Sequence, residues 1–194
     1  MVGSNLMLLL VMFLLFLLAV FSNGCESKKE TAFGESTPSA EIFSTLPKEP
    51  QGENSYQNGK DAFNQKDYAT ALEHFSRSAE VGHAKAHNWL GWMYYYGKGV
   101  PQNNQEALHW YVKSAEADYA IAQVNLGKMY ELGRGVLPDV IQAYKWYTIA
   151  TANVSSQETR DRVIERREAL AQKMSQKEIV EAKRLAREWA PIRQ

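Results

Sequence analysis

Apolar residues recur at intervals of three and four positions through most of the chain after its first quarter. In one such stretch Ala86, Leu90 and Met93 fall on a single side of a helical wheel, which predicts an amphipathic helix with one buried face. Gly97 follows at the point where this helix must end, because glycine adopts the left-handed backbone conformation at little cost. Asn103 is then predicted to cap the start of a second helix.

The same pattern returns 36 residues later, with Gly133 at the place of Gly97. Aligning residues 84–119 with residues 120–155 gives 12 identical positions. A fixed period of this length is typical of stacked helical hairpins, in which each hairpin buries its apolar face against the next.

Both units contain Leu-Gly-x-Met-Tyr, then Gly-x-Gly-Val, then Ala-x-x-Trp-Tyr, within residues 84–153. These motifs resemble the Sel-one-like repeat, a relative of the tetratricopeptide repeat. The preceding residues 56–80 resemble a shorter, plain tetratricopeptide unit. The resemblance implies an all-α solenoid of about three helical hairpins over residues 55–153, whose concave groove binds a protein or peptide.

Residues 154–194 are highly charged, with ten basic and seven acidic residues. Ser155 and Ser175 each have a glutamate three residues later, which predicts two more helices that begin with capping boxes. The second of these helices has an apolar face and ends before Pro191. An amphipathic pair in this place is predicted to be a C-terminal helical cap that covers the last open face of the solenoid.

The groove surface is predicted from the positions that lie opposite the apolar stripe of each first helix. The predicted partner-binding residues are Tyr56, Lys60, Lys85, Asn88, Trp92, Tyr95, Lys128 and Glu131. Trp92 and Tyr95 align with a lysine and a glutamate in the next repeat, so the packing that both repeats share does not require aromatic residues there. Large aromatic residues of this kind are suited to anchor a partner. The alternative for Trp92 is that it fills a gap against the first hairpin.

The charge balance and the potentially reactive residues of the chain indicate which classes of function to expect. The chain has 22 Lys and Arg against 22 Asp and Glu, a balance that is atypical of nucleic-acid binders. His83 and His87 are four residues apart on one predicted helix, but no third ligand has a place beside them, so no metal site is predicted. No nucleophile and base are paired in the sequence, so we expect neither catalysis nor a cofactor. A module that binds cell-wall glycan or muropeptide is the alternative function, and an envelope hydrolase is a further one.

The N-terminal region carries a second resemblance. Sixteen consecutive apolar residues, 6–21, precede Ser22-Asn23-Gly24 and then Cys25, the one cysteine of the chain. This arrangement resembles the lipobox of bacterial lipoproteins, whose cysteine is diacylated and becomes the mature N-terminus. The resemblance implies a signal peptide over residues 1–24 and a lipid on Cys25.

Residues 25–54 are predicted to be a flexible tether, because they are poor in apolar residues and two prolines near their end oppose helix formation. The lipoprotein interpretation places the protein in the bacterial cell envelope, anchored to a membrane and facing the periplasm or the exterior. Secretion with an unlipidated cysteine is one alternative. An uncleaved anchor is another, and since Lys28 and Lys29 follow the apolar run, it would leave the folded part in the cytoplasm.

We expect mass spectrometry of the membrane fraction to find a mature chain that begins with an acylated Cys25. A Cys25→Ala variant should lose the lipid mass and leave the membrane fraction. A free thiol on a mature N-terminal Cys25 would favour plain secretion, whereas a peptide that retains Phe21 and Ser22 would contradict both forms of cleavage.

Overall fold

The computed structural model describes residues 52–189; the predicted signal peptide, Cys25 and the predicted tether up to residue 51 lie outside the described residues. Within residues 52–189 the chain forms eight α-helices and no strand, which confirms the predicted all-α solenoid of helical hairpins. The helices are α1 (Glu53–Asn64), α2 (Tyr68–Glu80), α3 (Ala84–Tyr96), α4 (Asn104–Glu116), α5 (Ala120–Leu132), α6 (Val140–Asn153), α7 (Gln157–Ala171) and α8 (Gln176–Glu188).

Helices α1 to α6 form three successive hairpins. Each first helix packs most extensively on its own second helix, and each second helix also contacts the first helix of the next hairpin. Helices α7 and α8 both pack on α6, where Val163, Leu170 and Ala182 join the same apolar core as Tyr147. The last hairpin therefore has its open side covered by the charged C-terminal pair.

A glycine facing an aromatic ring sets the spacing of the two helices in every hairpin. A Cβ atom built on Gly59 would lie 2.7 Å from the ring of Phe75, and one built on Gly91 would lie 2.7 Å from the ring of Tyr111. Gly127 meets the ring of Tyr147 in the same way. Carbon atoms do not approach this closely, so the two helix backbones come together only because these positions lack a side chain.

Small alanines lie one turn before these rings and are fully buried. Ala71, Ala107 and Ala143 have no exposed surface, and the three rings are at most 3% exposed. Small and large side chains therefore alternate along the seam, which fills the space between the helices at the density of a protein core.

Helix ends follow the sequence signals with one exception. Gly97 ends α3 with φ 64°, and Asn103 caps α4 by accepting hydrogen bonds from two backbone N–H groups. Ser175 and Glu178 form the predicted reciprocal capping box of α8.

The predicted cap at Ser155 is wrong. The hydroxyl of Ser156 accepts from the backbone N–H of Thr159, at 3.4 Å, and caps α7 one residue later than predicted. Val154 is 3% exposed, so the chain stays anchored in the core there and runs in an extended conformation until it passes Ser155.

We expect Gly127→Ala to destabilise the protein, although alanine is the better helix former by about 1 kcal/mol. The added methyl group would overlap the buried ring of Tyr147, and overpacking of this kind costs about 1–3 kcal/mol. The melting temperature measured by circular dichroism should fall. Glu168→Ala, at an exposed position of α7, serves as the matched control and should change it little. An unchanged or higher melting temperature for Gly127→Ala would contradict the packing described here.

Candidate functional site

Helices α1, α3 and α5 are the first helices of the three hairpins, and α7 is the first helix of the C-terminal pair. A side-chain polar contact joins each successive pair of these four helices. His83, which precedes α3, contacts Glu53 of α1 at 2.9 Å. Asn125 of α5 donates to the side-chain oxygen of Asn88 on α3, at 3.0 Å. Arg166 of α7 donates to Glu131 of α5, at 3.1 Å. We call the surface formed by the outward sides of these four helices the first-helix face.

Between α1 and α3, the side chain of His83 both caps the start of α3 and bonds to Glu53 of α1. The Nδ1 atom of His83 accepts from the backbone N–H of Ala86, at 3.3 Å, so the proton of the neutral ring is on Nε2 and is donated to Glu53. Hydrogen bonds from Gln57 and then from His83 lower the pKa of Glu53. The imidazole also stacks on the ring of Tyr56, with 4.7 Å between centroids. This contact fixes the start of α3 against α1.

Three predicted groove residues meet at Tyr56. The ring is only 7% exposed, and the ammonium groups of Lys60 and Lys85 lie 5.6 and 5.8 Å from its centroid. Asn88, also a predicted groove residue, is 8% exposed. Tyr56 and Asn88 are thus largely buried beneath the first-helix face. The two lysines place positive charge beside the ring of Tyr56.

Trp92 and Tyr95 belong to an aromatic cluster on α3. The ring of Trp92 lies 5.1 Å from that of Phe63 on α1 and 4.6 Å from that of Tyr96. Tyr95 lies edge-on to Tyr96, which is 54% exposed. Trp92 therefore does pack against the first hairpin, and both Trp92 and Tyr95 remain partly exposed. Their role as partner anchors stays a prediction.

Lys128 and Glu131, the remaining predicted residues, lie in a groove of about 750 Å³ between α5 and α7. Buried Val124 and Val163 contribute to its floor, and Ile121 is 38% exposed at its wall. The groove is lined by Ile121, Val124, Asn125, Lys128, Glu131, Thr159, Arg162, Val163, Glu165, Arg166 and Ala169. We call it the α5–α7 groove.

Glu131 is held by two donors. The hydroxyl of Tyr147 donates to its carboxylate at 2.6 Å, in addition to the bond from Arg166. Burial, followed by the contact with Glu131, raises the pKa of Tyr147. The ring that packs against Gly127 therefore also orients a carboxylate on the first-helix face.

Sequence reasoning missed the contribution of α7 to this groove. Arg162, Val163 and Arg166 were assigned only to the cap, yet they form one wall of the α5–α7 groove. The available signal was the spacing from Arg166, which follows Arg162 by four residues and Val163 by three and so shares a side of the helix with each of them. The sequence did not reveal that this side would lie opposite Lys128.

A second, smaller cavity of about 490 Å³ lies between α6 and α8. Its walls include Ile149, Lys183, Arg187 and Trp189, and the indole of Trp189 lies edge-on to Trp146 at 5.6 Å. None of the predicted groove residues lines this cavity.

His83 and His87, at the start of α3, belong to no metal-binding group within the described residues. The Nε2 atom of His83 contacts the carboxylate of Glu53. The Nε2 atom of His87 lies 3.1 Å from the backbone oxygen of Ala79. Burial lowers the pKa of His87, which favours its neutral form. Residues 52–189 contain no group of three or more His, Cys, Asp or Glu side chains placed to hold a metal ion. Over the same residues, no helix is long and apolar enough to span a membrane.

Comparison with known proteins gives a family match. The family model described as Sel1 repeat matches residues 52–83, 84–119 and 120–153, together just over half of the chain. No curated protein matches the sequence significantly.

Several solved structures are similar to this chain, and two crystal structures among them illustrate the likeness. A protective antigen of uropathogenic Escherichia coli strains with an SLR fold is 29% identical, with a TM-score of 0.65 over 71% of this chain. The chain spans only 29% of the length of that protein. A Sel1 repeat protein from Oxalobacter formigenes is also 29% identical, with a TM-score of 0.52, over 59% of this chain and 90% of the other.

Proposed function

The chain belongs to the Sel1 repeat family, whose members are generally protein-interaction scaffolds, and on that premise we propose that it is a non-catalytic adaptor of the bacterial cell envelope. It binds a protein or peptide partner on the first-helix face. Lipidated Cys25 anchors it to a membrane, and the tether carries the repeats away from the membrane surface.

The observation that carries this proposal is the contrast between the two sides of the first helices. Their inner sides are closed by glycine–ring contacts and fully buried alanines. Their outer sides keep partly exposed Trp92 and Tyr95 and the α5–α7 groove. Stacked repeats offer an extended surface of this kind, and aromatic side chains are frequent energetic anchors at protein interfaces.

The polar side chains of the face support binding rather than catalysis. His83, Asn88 and Glu131 already make the contacts that join one first helix to the next. The fold is typical of non-catalytic scaffolds, and the family match indicates no catalytic family.

The tether length supports action at a distance from a membrane. A flexible chain of about 30 residues has a root-mean-square span of roughly 30 Å, which exceeds the thickness of one helical layer. A lipid on Cys25 would hold one end of this span, and α1 begins at its other end, at Glu53.

Formaldehyde crosslinking in cells tests the binding face. We expect the tagged full chain to give protein adducts that a Trp92→Ala/Tyr95→Ala variant loses at least severalfold, because both anchors are removed. Leu137→Ala, which alters an exposed apolar side chain outside the first-helix face, is the matched control and should retain the adducts.

Since Trp92 packs on Phe63, the variant must first show the helical circular dichroism of the parent protein. A Trp92→Phe/Tyr95→Ala variant provides a second test if the first variant unfolds. Unchanged adducts in a folded variant would refute the aromatic anchor. Capture of glycan without protein would refute the adaptor function in favour of a glycan-binding module.

A further inference from the structure

The lining of the α5–α7 groove has one more cationic than acidic side chain. Three cations line it, Lys128, Arg162 and Arg166, against Glu131 and Glu165. Glu131 accepts from Arg166 and from the hydroxyl of Tyr147, so its charge is already engaged. Arg162 lies 3.5 Å from Glu158, but both side chains are largely exposed, and such surface pairs exchange readily for other partners.

Lys128 is the groove cation that makes no direct ion pair, although Glu131 lies near it on the same helix. Its ammonium makes no hydrogen bond and no ion pair with any residue between 52 and 189. Partial burial lowers the pKa of Lys128, the positive charges of Arg166 and Arg162 lower it further, and the negative charge of Glu131 acts in the opposite direction. An anionic group placed between these cations would relieve their mutual repulsion.

The rest of the lining indicates a peptide rather than a small free anion. Val124 and Val163 form an apolar floor, and Ile121 adds a partly exposed apolar wall. Asn125 donates to Asn88 but leaves its own side-chain oxygen without a partner in the described residues, so it is available to a backbone N–H group. Apolar, amide and cationic contacts in one open groove match an extended segment with both apolar and acidic side chains.

We propose that the α5–α7 groove binds an extended peptide segment of a partner protein that is rich in aspartate and glutamate, with Lys128 and Arg162 as its principal charge contacts. This inference rests on the proposed adaptor function and specifies the chemistry of the partner. Arg166 has a different role, because its bond to Glu131 holds α7 against α5 and so maintains the groove.

Selection from a random decapeptide display library tests the proposal with the purified full chain in detergent micelles. We expect the selected peptides to contain several times more Asp and Glu than the starting library. Fluorescence anisotropy should then show that a Lys128→Gln/Arg162→Gln variant binds the best selected peptide about tenfold more weakly, because two charge contacts are lost. Arg166 is left intact so that the groove keeps its shape.

Lys173→Gln/Lys177→Gln is the matched control, since it removes two exposed positive charges outside the groove and should leave the affinity unchanged. Equal weakening by both double variants would overturn the proposal, because it would indicate general charge attraction. Selected peptides with no acidic enrichment, or no selection at all, would also overturn it. If the cellular adducts still depend on Trp92 and Tyr95 in that case, the adaptor function stands and only the groove assignment fails.

Discussion

The contact of a glycine with an aromatic ring across each hairpin is the constraint on which the rest of this structure depends. Gly91 and Gly127 let the rings of Tyr111 and Tyr147 lie directly on the backbone of the preceding helix. The two helices of a hairpin therefore pack along one dense seam, and the apolar stripe of the first helix is buried in that seam. The outer side of that helix takes no part in this seam, so the residues on it can differ from one repeat to the next.

That variation is visible in how successive first helices are joined. The three junctions use a histidine with a glutamate, a pair of asparagines, and an arginine with a glutamate. The positions occupied by Trp92 in one repeat and by Lys128 in the next differ in the same way. A repeated core thus carries a surface that changes from aromatic near α3 to cationic near α7.

The repeat period and the helical spacing of the apolar residues predicted stacked helical hairpins, and the resemblance to the Sel-one-like repeat implied the all-α solenoid. The sequence pattern did not predict the burial of Tyr56 and Asn88, since burial depends on neighbouring helices as well as on the helix itself, and Tyr56 joins the core beside Phe75. The part played by Arg162 and Arg166 was not predictable from periodicity, because it depends on how α7 is set against α5 by Glu131 and Tyr147. The start of α7 was misplaced by one residue for a related reason, as both Ser155 and Ser156 are chemically suitable caps and only packing distinguishes them.

Site-specific photo-crosslinking of the full chain in cells tests most directly whether the first-helix face is the surface that meets a partner. A photoreactive side chain is placed at exposed positions on that face, Lys85, Lys128 and Arg162, and at exposed positions on second helices, Glu73 and His109. We predict protein adducts from the first group and none from the second. Adducts that form only from the second helices would contradict the account.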